Sequence, residues 1–284
     1  MKSINRVRPS PIAGRWYSSD PTQLREEIAG YINSAALPEL KGDLVGLITP
    51  HAGYFYSGLT AGYAYHAVMG MQFDLCVVVS PLHDYLPYPL LSSAHDAYAT
   101  PLGNVEIDLD LVNAFDQQLA DASLPPVQRI TNDREHSLEI QLPFLQTALA
   151  KPFLFLPLMV RSSESEYLAK VGTILANLIR GKKVLLVAST DLSHFYNEPT
   201  ANALDQIMLQ RMVDFSAEGV LQAEADQVGF ACGSGAVALV FFTAKALGAN
   251  KVTLLHHSTS ASASKDTSSV VGYGALAITR QEAV

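Results

Sequence analysis

The sequence is poor in cysteine, tryptophan and charge. Its two cysteines, Cys76 and Cys232, are too few for a disulfide framework, and neither belongs to a Cys-x-x-Cys pair. This usage fits a reduced, cytoplasmic setting. Only 16% of residues are charged, the net charge is −8, and no basic block stands out. Nonspecific binding to nucleic acid or to an acidic membrane surface is therefore not expected. No apolar run approaches the roughly 18 residues that cross a bilayer, and MKSINRVRPS lacks the apolar stretch of a signal peptide. There is no internal repeat. The one tryptophan lies in Gly14-Arg15-Trp16-Tyr17 and is expected to cover an edge of the core.

What is abundant is apolar side chain, at 49% of 284 residues, enough for a large core in one domain spanning residues 1–284. Buried strands are predicted at Leu44–Thr49, Leu75–Ser80, Phe153–Met159, Val184–Ser189, Val252–His256 and Val270–Ile278. Helices are predicted between them. The first runs from an Asp20 cap with Pro21 at its first position to about Ala36. Others cover Ser57–Met69, Asp108–Leu119, His136–Leu149 (broken or kinked at Pro143), Glu164–Ile179, most of Thr200–Ala223, and Ser234–Ala246. Leu90–Ile107 reads as short antiparallel pieces, and SASASKDTSS as a mobile loop beside the site. The alternation predicts an α/β fold: a mostly parallel or mixed sheet flanked by helices.

Three of these strands end in polar clusters. LVGLITPHAGY leads to His51, LCVVVSPLHDY to His83, and VLLVASTDLSHF to Asp191 and His194. In open α/β sheets, ligands sit beyond the carboxyl ends of the strands. A fourth segment, GFACGSGA, places Cys232 in a glycine-rich turn before a helix. The five side chains could converge as the inner sphere of a soft or borderline transition metal with open positions. Each also has a plainer reading. His51 and His83 could be loop histidines bonded to backbone, Cys232 a buried helix-start residue, and His194 a helix cap with Asp191 and Ser193. As a functional pair, Asp191 would orient the imidazole and His194 would move protons. In DREHSLE, His136 and Glu139 lie three apart on one helix face, which suggests a supporting or substrate-binding role. Cys76, inside LCVVV, reads as a small buried hydrophobe. His256 and His257 are not expected to ligate, and His66 and His95 have no assigned role.

Taken in order, RPSPIAGRWYSSDP, TPHAGYFYSG, SPLHDY, DREHSLEIQLPFL, STDLSHF, ACGSGAVAL and DTSSVVGYGALA resemble the Memo family. Its prokaryotic members are also called AmmeMemoRadiSam system protein B. The resemblance covers almost the whole chain. It implies a fold similar to the class III extradiol dioxygenases of non-haem iron. It also implies His51, His83 and Cys232 as metal ligands and His194 as the acid–base histidine. A thiolate then stands where the dioxygenases have a carboxylate, so ring cleavage does not carry over. The implied cofactor is Fe(II) or Cu, with Zn possible. The resemblance further implies cooperation with radical-SAM and AMMECR-type proteins. Three functions fit: a metal-dependent oxidoreductase of unknown substrate, a zinc-type hydrolase, and a binding protein for a small molecule or peptide that keeps the cleft without its chemistry.

Overall fold

Uniformly apolar, β-branched runs form strands buried on both faces. Four of them, Asp43–Thr49, Leu75–Pro81, Leu154–Val160 and Val184–Ser189, are such strands here. In the computed structural model, which describes residues 6–282, they lie parallel at the centre of one sheet. Their order is 43–49, 184–189, 75–81, 154–160.

Antiparallel strands extend this centre on both sides. Val270–Arg280 pairs with Asp43–Thr49, and itself carries Lys251–Thr259 and His194–Tyr196. On the far side Leu90–Ser93 runs antiparallel to Leu154–Val160, and Gln128–Ile130 closes the edge. The sheet is thus mixed, nine-stranded and flanked by helices, as the α/β pattern predicts. A smaller sheet joins Val7–Arg8 to the hairpin Ala97–Thr100 and Gly103–Glu106, the antiparallel excursion expected in that stretch. Most buried apolar side chains form a single continuous cluster on the two faces of the main sheet.

Local chemistry sets the helix limits. Pro21–Asn33 is capped by Asp20, whose carboxylate accepts from the amides of Thr22 and Gln23. Leu109–Asp121 is capped by Asp108 in the same way. The helix after Pro50-His51-Ala52-Gly53 starts at Tyr54, earlier than predicted, because the Tyr54 amide is held by the Trp16 carbonyl at 2.9 Å. The stretch read as 136–149 is two helices, His136–Glu139 and Leu142–Ala148, with Pro143 in the first turn of the second. Thr200–Ala223 likewise divides into Glu198–Val213 and Ala217–Ala225, where Phe215 adopts a positive φ of 55°. The serine-rich stretch contains a short helix, Ala261–Ser264. Among the described residues no helix is long and apolar enough to cross a membrane.

One consequence of the parallel register positions the site. Thr49 lies beside Ser189, and Val79 beside Ala188. The three strands therefore end together, and His51, His83 and Asp191 leave the sheet at one edge.

Candidate metal centre

His51 is buried, and its surroundings define its tautomer. The Ser189 hydroxyl donates its single hydrogen to the Ser137 carbonyl at 2.7 Å. Toward His51 Nδ1, 3.1 Å away, Ser189 can only accept. Nδ1 therefore carries the hydrogen and Nε2 a lone pair. Gln141 reinforces this by donating to Ser189 Oγ at 2.8 Å and to the Pro50 carbonyl at 2.9 Å.

His83 is fixed by a carboxylate. Glu135 accepts from the His83 amide at 2.7 Å and lies 3.0 Å from His83 Nδ1. Nδ1–H faces the carboxylate, and Nε2 is again the free nitrogen. Burial would raise the Glu135 carboxyl. Hydrogen bonding and charge from His83, with help from His136, overcome burial and hold it far below the usual carboxylate range. His83 is raised in turn, chiefly by the Glu135 hydrogen bond. A carboxylate on the outer nitrogen is the arrangement that orients a ligating imidazole and makes it more basic.

His136 completes the group. Its ring stacks on His83 with centroids 4.6 Å apart and meets His51 edge-on at 5.5 Å. Trp16 lies against it at 4.3 Å. Donor atoms of His51, His83 and His136 all fall within 4.8 Å of one another, close enough to share one ion. Burial pushes His136 down to about 4 and holds His51 well below the ordinary imidazole value, so both are neutral donors near pH 7.

The residues of the third strand end lie around this triad. Asp191 Oδ1 accepts from the His51 amide at 2.7 Å, and its other oxygen is 4.0 Å from His51 Nε2. Burial raises Asp191 to about 7, against the pull of the His51 and Ala52 amides. His194 donates Nδ1–H to the Leu192 carbonyl at 2.8 Å, leaving Nε2 as an acceptor. Burial lowers its pKa, so it too is neutral near pH 7. His194 belongs to a short strand and does not cap a helix.

Cys232 stands behind His51, with Sγ 3.1 Å from His51 Nε2. Burial, then the nearby Asp191, raise its thiol well above the ordinary range, and a protonated thiol facing a bare Nε2 donates to it. The turn that brings it there depends on Gly233. A Cβ on that residue would lie 2.5 Å from the Ser189 carbonyl oxygen and 2.8 Å from Thr190 Cβ. Cys76 is fully buried in its strand.

The triad opens into a cavity of about 640 Å³ that Asp191 and His194 also line. The sequence-predicted residues His51, His83, Asp191, His194 and His136 thus meet at one cavity, with Cys232 just behind. Glu139 does not join them. It accepts from Arg8 at 2.5 Å and Tyr17 at 2.7 Å, and also from Ser10. The four-residue helix turns His136 toward His83 and Glu139 toward the N-terminal segment. Trp16 packs, partly buried, against the core as expected, and it also lines the cavity. His256 and His257 lie elsewhere, bonded to Thr60 and Asp205.

Sequence reasoning missed Glu135, Ser189, Gln141 and Arg8. Arg8 is buried, forms ion pairs with Asp133 and Glu139, and donates to the Glu135 carbonyl at 2.7 Å, so it holds the loop that holds His83. The available signal was the pair of acids Asp133 and Glu135 just before His136, but Glu135 meets His83 only through a contact across 52 residues.

Comparison with known proteins agrees over nearly the full length. The family described as Memo-like protein matches residues 8–277. A MEMO1 family protein of Nitrosopumilus maritimus is 31% identical over 274 residues, covering 95% of this chain and 98% of that one. A MEMO1 family protein of Methanosarcina barkeri is 32% identical over 274 residues, covering 96% and 100%. The crystal structure of an uncharacterized Escherichia coli K12 protein aligns with a TM-score of 0.49 at 13% identity, over 82% of this chain and 99% of that one.

Proposed function

The chain belongs to the Memo-like protein family, and on that premise we propose that its cavity binds a transition-metal ion for redox chemistry on a small ligand. The observation that carries this reading is the convergence of His51, His83 and His136 within 4.8 Å, on the wall of an open cavity. The donor set fits such an ion. Neutral imidazole suits iron, copper and zinc, and three protein donors leave positions for an outside ligand.

In this proposal His51 and His83 hold the ion through Nε2, each oriented by its Nδ1 partner, Ser189 or Glu135. Fe(II) or Cu bound there would supply electron transfer to or from a coordinated ligand. His194 is the proton acceptor, because its Nε2 is free at the same cavity and its imidazole is neutral near pH 7. Asp191 fixes the His51 main chain and faces the same space.

The third ligand has two candidates. His136 is favoured by donor distance. Cys232 is favoured by its 3.1 Å contact with His51 Nε2, and would bind as thiolate after losing the hydrogen it donates there. A thiolate selects softer ions such as Cu(I). Zinc on the same residues, with His194 or Asp191 as base to a bound water, is the hydrolytic alternative. Cooperation with radical-SAM and AMMECR-type proteins is supported by the family resemblance alone.

The test is anaerobic purification, elemental analysis, and titration with Fe(II), Cu(I) and Zn(II). A tight site in the wild type, lost in His51→Gln, is expected. Metal binding no tighter than millimolar would sink the proposal. His136→Gln and Cys232→Ser, with Cys76→Ser as control, identify the third ligand by which one loses affinity. His194→Ala should keep the metal while oxygen consumption with a reductant falls about 10²–10⁴-fold. Unchanged consumption would remove the acid–base role.

A further inference from the structure

The parallel strands carry the histidines beyond their carboxyl ends. At the amino end of Leu154–Val160 lies a second cavity, of about 330 Å³, lined in part by the residues that lead into that strand. The two cavities share no lining residue, and a strand of 7 residues sets its two ends about 20 Å apart.

The walls of this second cavity come from separate elements. Pro21–Asn33 brings Arg25, the hairpin of Ala97–Thr100 and Gly103–Glu106 brings Asn104 and Val105, and the stretch after Leu142–Ala148 brings Leu149, Lys151 and Phe153. They are held in place. Gln146 donates to the Gly103 carbonyl at 3.1 Å and accepts from the Thr100 hydroxyl at 2.7 Å, which ties the hairpin to the helix. Ala150 donates to the Met71 carbonyl at 2.9 Å and Leu154 to that of Asp74 at 3.0 Å, so the stretch carrying Lys151 is pinned on both sides. Val105, Leu149 and Phe153 are buried and give the cavity an apolar side.

The charge here is the reverse of the chain's. Acids outnumber lysines and arginines 27 to 19, yet Arg25 and Lys151 line the cavity and no Asp or Glu is among its described lining residues. Arg25 lacks the usual acidic partner on its own helix, because the positions three and four away are Pro21, Thr22, Ile28 and Ala29. Neither cation has a partner among the described residues, and the same holds for the side-chain amide of Asn104. Guanidinium and ammonium groups with all their donors unengaged suit phosphate oxygens.

We propose that this cavity binds a small phosphomonoester: Arg25 and Lys151 pair with the phosphate dianion, Asn104 donates a further hydrogen bond, and Val105, Leu149 and Phe153 take a short apolar group. A dianion is favoured over a monocarboxylate because two cations face one volume with no carboxylate beside them. A polyanion such as nucleic acid is disfavoured, since the cations are confined to one small cavity in a chain of net charge −8. The proposal needs no part of the metal reading.

Isothermal titration of the whole chain at constant ionic strength tests it, with n-butyl phosphate, inorganic phosphate and n-pentanoate as probes. Wild type should bind butyl phosphate with a Kd of about 1 mM or tighter, and at least about threefold more tightly than either other probe. Arg25→Gln and Lys151→Gln should each weaken butyl phosphate about three- to tenfold, the range of one charge-assisted contact open to solvent. Arg25→Lys should keep more affinity than Arg25→Gln. Lys41→Gln, an exposed cation outside this cavity, should change nothing. His51→Gln should bind butyl phosphate as wild type does, which sets this cavity apart from the metal centre. Both cations are exposed, so their replacement should leave thermal unfolding unchanged, measured on the same samples. No binding by wild type, equal affinity for pentanoate or for inorganic phosphate, wild-type affinity in both Arg25→Gln and Lys151→Gln, or binding lost in His51→Gln would each overturn the proposal.

Discussion

Two groups of histidines lie in this fold, and they differ in what their ring nitrogens face. At the strand ends, His51, His83 and His194 each engage a partner through Nδ1, namely Ser189, Glu135 and the Leu192 carbonyl. The Nε2 atoms of His83 and His194 are left for the cavity, and that of His51 meets the Cys232 thiol, itself a candidate ligand. On the edge strand Lys251–Thr259, His257 places Nε2 2.9 Å from Asp205, while His256 bonds Thr60 through Nδ1 and stacks on Tyr63 at 4.1 Å. There the hydrogen-bonding capacity and ring faces are taken up by contacts between elements. The same side chain is a ligand candidate in one region and a tether in the other. The deciding feature is whether a fixed outer partner leaves the second nitrogen facing the cavity or another candidate ligand.

The sharpest way to break this contrast is to remove a ligand nitrogen. His83→Gln should lower metal affinity at least about a hundredfold, since each ligand carries a large share of a multidentate site. His257→Gln should leave affinity unchanged. Equal losses in the two variants would erase the distinction. Next in size is the outer partner: Glu135→Gln should cost about 10–100-fold in metal affinity, measured by competition with a chelator, because His83 loses its orienting carboxylate.

The tethers should show themselves in stability instead. His257→Leu leaves the fully buried Asp205 carboxylate with the Ser193 amide at 3.0 Å but without its imidazole. Denaturant unfolding of the metal-free protein should show a loss of about 2 kcal/mol. His256→Gln is the smallest change, within about 0.5–1 kcal/mol, since its ring is half-buried and its partner Thr60 also bonds Ser258 at 2.7 Å. A metal-binding defect in either variant would mean that the edge strand reaches the site by a route its contacts do not suggest.

The parallel centre of the sheet was legible because its strands are uninterrupted apolar runs, and the strand-end rule then locates His51, His83 and Asp191 without any tertiary information. The helix start at Asp20 was legible because capping is local. What stayed hidden depends on contacts far apart in sequence. Glu135 reaches His83 across 52 residues, and Arg8 reaches Glu139 across 131. His136 and Glu139 differ in surroundings because the ring packs against His83 and Trp16 while the carboxylate is drawn to Arg8 and Tyr17. Trp16 reads as a core-edge residue from composition. Its place in the cavity follows from the turn at Gly14 and the tie between Trp16 and Tyr54. The order of the antiparallel flanks is likewise a matter of long connections that no local signal encodes.

Gly233 has a consequence for how this chain can change over time. Any side chain there would strike the Ser189 carbonyl and Thr190, so the turn would have to withdraw from the strand end and carry Cys232 away from His51. The same Thr190 hydroxyl accepts from the Gly233 amide at 2.9 Å. Mutational paths that keep the thiol beside the imidazole therefore pass through a narrow gate. Replacement of the glycine becomes tolerable only in a background where residue 190 has already shrunk and the turn has already moved. The cysteine's inheritance is thus tied to a neighbour with no chemistry of its own, and a lineage that loses the glycine first would be expected to lose the sulfur's position with it.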